Sequence, residues 1–325
     1  MLLKKQEQLE IGKIITAILS TTAIVVLPGI AWGLFGWLHL LLPLLAFAVL
    51  SKFGKYTGKK FLLTATVFSL ICYIILGNID LFVFSAIFLF AGYVLFSSFE
   101  NNERPALSGF KTAVVIGIGW SAVLAFFTWG SDISPYRQLI TTLDLGISEA
   151  LTYYRASDSV TPETLAMLET TLSQMKIIVP LIMPAILGSL VLLVSWFTMI
   201  LSNTLIIRQN GSSSWSSYGM WQLPDKIIWV AICMGLLTMV PVAGMRIIAL
   251  NALILLSVVY CFQGLAVSVH FMNKWNVPIL MRSFFYVMMI VQTFGTIVLL
   301  VLGIADVWLD LRKLKSDNIN EEEIK

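Results

Sequence analysis

Apolar runs of close to 20 residues recur from one end of this chain to the other, and they leave it few folds to choose from. Wound as a helix, roughly 20 residues match the hydrocarbon thickness of a bilayer. No water reaches that depth, so every backbone N–H and C=O must be paired inside the protein, which selects helices. The runs lie near residues 12–33, 36–51, 61–77, 80–97, 111–129, 177–206, 226–241, 247–271 and 279–304. The expected fold is all-α, a polytopic transmembrane helical bundle of eight or nine spans forming a single membrane domain over 1–325. The count drops to eight if the first two runs, parted only by "GLFGW", are one crossing, or if the short run ending at Pro241 does not cross.

Charge content agrees. Charged residues make up 12% of the chain, against about 25% in an average soluble domain, and the mean hydropathy is +0.89. The net charge of +3 is small and its bases are scattered, so nucleic acid is not an expected partner; the bilayer is. The bases instead report topology. "SKFGKYTGKK" carries Lys52, Lys55, Lys59 and Lys60 with no acid and reads as cytoplasmic. The N-terminus then lies on the same side, as do the loops with Arg104 and Lys111 and with residues 207–225. Three further crossings would put the basic stretch "DLRKLK" of the charged 305–325 tail outside, unless 226–241 does not cross fully. The opening "MLLKKQEQLEIGKIITAILSTTAIVV" has the look of a signal peptide without an A-x-A cleavage site, and is read as a retained first span.

The connector 130–176 falls outside. Its acids Asp132, Asp144, Glu149, Asp158, Glu163 and Glu169 outnumber Arg137, Arg155 and Lys176. Tyr136, Ile140, Leu143, Ile147, Leu151 and Tyr154 recur at helical spacing behind Ser134–Pro135, an N-cap and a proline in the first turn. Thr161–Pro162–Glu163 repeats the signal ahead of Leu165, Leu168, Leu172 and Met175. Two amphipathic helices are expected there, capping the bundle or forming a lid.

Enzyme signatures are missing. "GKYTGKK" lacks the spacing and the final Ser or Thr of a phosphate loop, so no ATPase is expected. His39 and His270 stand alone, and Cys72, Cys233 and Cys261 lie far apart in apolar segments, so no metal and no cofactor are expected. The sequon at Asn210 falls in a loop read as cytoplasmic.

Polar stripes on apolar helices are the positive signal. In "NALILLSVVYCFQGLAVSVHF", at 100° per residue, Tyr260, Gln263 and His270 share one side. Ser257, Gly264 and Ser268 form a small-residue seam beside them, and Leu255, Val258, Phe262, Leu265 and Val269 form a face suited to lipid. In the last run Gln292, Thr296, Leu299, Gly303, Asp306 and Asp310 follow one stripe. A buried amide or acid in hydrocarbon needs a partner, so Gln263 and Asp306 should face inward. Two readings stay open: hydrogen bonds that hold the bundle together, or a ligand or ion path. For Asp306 with Arg312 and Lys313, a charge cluster fixing the helix end is the alternative to a site. Pro180 and Pro184 should kink the sixth run, Arg246 and Asn251 open the penultimate one, and Trp215 and Trp221 read as interface anchors.

The order "WQLPDKIIW", "NALILLSVVYCFQGLAV", "LGIADVWLDLRK", with "LPLLAFAVLSKFGKYTG" upstream, resembles the YybS-like bacterial membrane proteins, a family catalogued as a domain of unknown function (DUF 2232). The resemblance implies Trp221, Pro224, Asn251, Gln263, Gly264, Gly303, Asp306 and Arg312 as pattern positions. Such proteins are distantly similar to the substrate-binding membrane subunits of energy-coupling-factor vitamin transporters, which typically have six spans and borrow a partner's ATPase. A bacterial inner-membrane, transport-related subunit is the resulting expectation. Tyr260, Gln263, His270, Gln292, Thr296 and Asp306 would meet a small solute, with a partner ATPase or other membrane protein. A non-catalytic scaffold or assembly factor is the alternative.

Overall fold

The computed structural model describes residues 2–128, 135–157 and 161–314. The N-cap expected at Ser134 and the tail beyond Leu314 lie outside them. Every regular element among the described residues is helical: α1 (Leu2–Ile30), α2 (Trp32–Phe35), α3 (Leu42–Phe53), α4 (Lys55–Leu76), α5 (Ile79–Glu100), α6 (Pro105–Thr128), α7 (Pro135–Arg155), α8 (Pro162–Asn210), α9 (Ile227–Leu237), α10 (Ala243–Lys274), α11 (Ile279–Val291) and α12 (Thr293–Leu309). A 3₁₀ turn, Gly36–Leu41, joins α2 to α3.

Each expected apolar run is helical, but the runs are not alike. Among the described residues six helices are long and apolar enough to cross a bilayer, and a bent pair makes a seventh if counted as one span. Ile14–Ile30 and Ile227–Leu237 are shorter apolar helices. The 279–304 run is the bent pair: the axis turns by 101° between Ile279–Met289 and Phe294–Leu309. Gly295 permits the turn, since a Cβ there would sit 2.6 Å from the Met289 Cα.

The chain divides into two compact units. The first holds Met1–Trp120, Val191–Asp225 and Val259–Lys325. Its core gathers Val25, Leu42, Phe47, Leu50, Tyr73 and Leu95. The Tyr73 hydroxyl donates to the Val25 carbonyl at 2.8 Å, tying α4 to α1. Gly92 of α5 lets α3 approach closely, since a Cβ there would lie 2.2 Å from the Pro43 carbonyl oxygen. His39 meets the Ser85 hydroxyl at 2.8 Å. Trp215, expected as an interface anchor, is instead buried: its indole donates to the Glu103 carbonyl at 3.0 Å and its ring meets Phe99 edge-on.

The second unit holds Ser121–Leu190 and Lys226–Val258. Here α7 lies antiparallel to the first turns of α8, with ion pairs from Arg155 to Glu169 and from Lys176 to Asp144. The Thr161 hydroxyl accepts the Thr164 N–H at 3.3 Å, so the expected second helix start is present. That helix does not stop before the next apolar run. It continues as one 49-residue α8, roughly 74 Å long at 1.5 Å per residue. Pro180 and Pro184 sit inside it. Asn251 splints the second proline. Its Oδ1 accepts the Ala185 N–H at 2.8 Å, and its Nδ2 donates to the Leu181 carbonyl at 2.8 Å. Those two backbone groups would be each other's partners in an unbroken helix, so the carboxamide bridges the ladder where proline loosens it.

Candidate functional site: a buried charge cluster at the end of the bent pair

Two glycines of the first unit bring α10 and α12 into backbone contact. A Cβ on Gly264 would lie 1.8 Å from the Leu299 carbonyl oxygen, and one on Gly303 would lie 2.0 Å from the Tyr260 carbonyl oxygen. Nothing larger than hydrogen fits either place, as expected for a small-residue seam. This contact sets Gln263 and Asp306 face to face. The Gln263 Nε2 donates to the Asp306 Oδ2 at 2.9 Å.

Arg312 completes the cluster. Six residues after Asp306, it would point to a different side of a straight helix. The chain does not run straight. Asp310, at φ 41°, ends α12 in the left-handed region, and Lys313 follows at φ 57°. The turn is held by the Leu314 N–H donating to the Asp310 Oδ1 at 3.0 Å. It folds Arg312 back, so that Nη2 and Nε donate to the two Asp306 oxygens at 2.6 and 3.3 Å. Nη1 donates to the Gly219 carbonyl at 2.7 Å and the Trp221 carbonyl at 2.8 Å. Gln263, Asp306 and Arg312 are respectively 0%, 1% and 5% exposed, so water does not screen the pair.

The loop held by Arg312 is anchored from a second direction. The Tyr218 hydroxyl donates to the Phe262 carbonyl at 2.5 Å and accepts from the Trp196 indole at 3.2 Å. Burial pushes that hydroxyl well above the ordinary tyrosine range, while the Trp196 bond and the Arg312 charge act the other way. Phe262, placed on a lipid face by periodicity, is buried and stacks on Trp196 with centroids 4.6 Å apart. A tryptophan from α8 covers that stripe of α10, which the period of one helix cannot reveal.

The remaining residues sort themselves around this cluster. Tyr260 is buried, one turn before Gln263, and among the described residues neither its hydroxyl nor the Gln263 Oε1 has a hydrogen-bond partner. His270 packs against Gly219 and lines an open cavity of about 380 Å³ with Ser217, Met220, Asn273 and Lys274. Gln292 is exposed at the break between α11 and α12, where its backbone is extended (φ −94°, ψ 127°). Thr296 lies in the next turn, its carbonyl facing the Cys261 Sγ at 3.6 Å. Pro224 is exposed, and Asn251 belongs to the second unit. Among the described residues no group of three or more His, Cys, Asp or Glu is gathered that could hold a metal.

Both ends of the bent pair meet the same end of α10. At its start, Arg282 donates to the Met272 and Val277 carbonyls at 3.2 and 2.7 Å and to the Asn273 Oδ1 at 2.6 Å. At its finish, Arg312 grips the loop that packs against His270.

No curated protein and no solved structure matches the chain. A family model does match, over residues 14–307, and it spans the seam, the bent pair and Asp306. The chain belongs to the family described as "Predicted membrane protein (DUF2232)".

Proposed function

We propose that the protein is a non-catalytic, transport-related subunit of a bacterial inner membrane that holds a small polar solute at the break between α11 and α12. The bent pair carries this reading. Arms of 13 and 17 residues are roughly 20 and 26 Å long. With an axis turn of 101° and both ends at one surface, the vertex reaches roughly 15–20 Å inward, near the middle of a ~30 Å hydrocarbon core. Interrupted helices at that depth are tolerated where they line a protein or water-filled cavity, and discontinuous helices form the solute sites of many transporters. Gln292 and Thr296 stand at that vertex. Asp306 is not free to meet a solute, because Arg312 and Gln263 occupy its carboxylate. Its role here is to position α12. Transport energy would come from a partner ATPase or an ion gradient, in keeping with the resemblance to energy-coupling-factor subunits.

A scaffold is the second reading, favoured by the apolar residues Leu145, Tyr153 and Met167 exposed on the α7–α8 hairpin. Native mass spectrometry of the protein purified in nanodiscs separates the two. A reproducible non-lipid mass in the wild type that is lost in Gln292→Ala supports the solute reading. An empty protein, a mass that Gln292→Ala retains, or a defined protein partner in its place overturns it.

A further inference from the structure

Away from the charge cluster, within the first unit, α1 and α3 leave an open groove of about 660 Å³ between them. Gly12, Thr16 and Ser20 follow one another at single-turn intervals along one wall, and Lys52, Val49 and Leu45 face them in reverse order on the other. From Gly12 to Thr21 the groove runs roughly 14 Å at 1.5 Å per residue. Two of its three hydroxyls bond back onto their own helix: Thr16 donates to the Gly12 carbonyl at 2.9 Å and Ser20 to the Ala17 carbonyl at 3.1 Å. What the slot offers is therefore mainly apolar, with one charge at its mouth. Lys52 stands there exposed, with no acid within ion-pair distance among the described residues and the Phe53 ring 5.5 Å away. Lys55, three residues on, is neutralised by Glu100 at 2.9 Å.

We propose that this groove binds an anionic phospholipid, with an acyl chain lying along α1 and α3 and the phosphate against Lys52. Three observations converge. The slot is elongated and mainly apolar, which suits a hydrocarbon chain. One of its walls belongs to the apolar segment Ile14–Ile30. Among the described residues its one charged lining residue is Lys52, a cation at one end of the groove with no acid within ion-pair distance, and basic pockets between spans select anionic headgroups. This site is independent of the solute reading.

The test uses the full-length protein, delipidated in detergent, with dioleoyl phosphatidylglycerol or dioleoyl phosphatidylcholine added back. Lipid retained in native mass spectra and the thermal midpoint are read together. Phosphatidylglycerol should be retained and should raise the midpoint more than phosphatidylcholine. Lys52→Gln should weaken that binding about fivefold, the worth of one lysine at a lipid surface. Lys60→Gln, whose ammonium lies over the Tyr56 ring outside the groove, should leave it unchanged. Thr16→Leu with Ser20→Leu should fill the slot and abolish retention, and if that variant fails to fold the two lysine variants still decide. Equal retention of the two lipids, or a Lys52→Gln variant that binds like wild type, overturns the proposal. So does a cross-link from Ser20→Cys to another protein chain with no lipid retained, because a partner helix then fills the groove.

Discussion

Replacing Asp306 by asparagine removes one charge from a pair that has no water to fall back on. The wild-type carboxylate accepts from Gln263 and from two nitrogens of Arg312. Asparagine keeps one acceptor oxygen and turns an NH₂ donor toward groups that are themselves donors. Arg312 then stays buried with a full charge and only neutral acceptors, the Gly219 and Trp221 carbonyls and the one amide oxygen, for compensation. Removing one partner of a buried pair costs about 3–5 kcal/mol, which is roughly 10²–10⁴ in the unfolding equilibrium at 1.4 kcal/mol per tenfold. Reversible unfolding in mixed micelles, followed by tryptophan fluorescence, measures it. Arg312→Gln should show a similar loss. The double variant should lose less than the sum of the two, with a coupling of about 1–3 kcal/mol, as expected for groups in one network. An Asp306→Asn variant within about 1 kcal/mol of wild type, on the scale of an exposed pair, would show that water reaches the cluster. Strict additivity would show that the two residues act separately. Either result refutes the assignment of this pair as the lock between α12 and the 218–221 loop.

Two further substitutions probe what surrounds that lock. Gly264→Ala and Gly303→Ala must push α10 from α12, because the added methyl meets backbone oxygen rather than a movable side chain; each should cost about 1–3 kcal/mol of overpacking. Gly235→Ala, with nothing within 4 Å, should be neutral in the same unfolding assay. Asn251→Leu should leave the Ala185 N–H and the Leu181 carbonyl without their splint, at about 1–3 kcal/mol for an unpaired buried group. Faster hydrogen exchange confined to α8 around Pro184 is the expected signature, and unchanged exchange there would remove the splint from the account.

Much of this architecture could be read in the sequence because lipid enforces it. Apolar runs became helices, since no other backbone arrangement satisfies its hydrogen bonds in hydrocarbon. Gly264 and Gly303 were visible as seam positions, and Gln263 and Asp306 as inward ones, from helical spacing alone. The pairing was not visible. Arg312 reaches Asp306 only because Asp310 adopts a left-handed conformation, and its other partners lie 91 and 93 residues away in sequence. The bend at Gln292 carries no proline, so the 279–304 run read as one span. Asn251 looked like an ordinary polar residue near a helix start, because its partners sit on another helix, exposed by a proline whose cost periodicity does not record.

The bent pair also bears on the distribution of basic residues. Nine straight crossings, starting with the N-terminus on the side of the lysine loop, carry "DLRKLK" to the opposite face and set the tail against the positive-inside tendency. A pair that starts where Arg282 caps α10 and ends where Arg312 grips the 218–221 loop would, as a re-entrant pair, contribute no crossing. Arg312 then shares a side with residues 207–225. That segment in turn touches the Arg104-bearing loop, through Trp215 and the Glu103 carbonyl. Counted with the two shorter apolar helices, eight crossings and one re-entrant pair would place the lysine loop, the Arg104 loop, residues 207–225 and Arg312 on one side, with Arg246 on the other. The arginine that closes the cluster would then also bear on topology: the turn at Asp310 draws it back to Asp306, so that a re-entrant pair ends on the side where it starts.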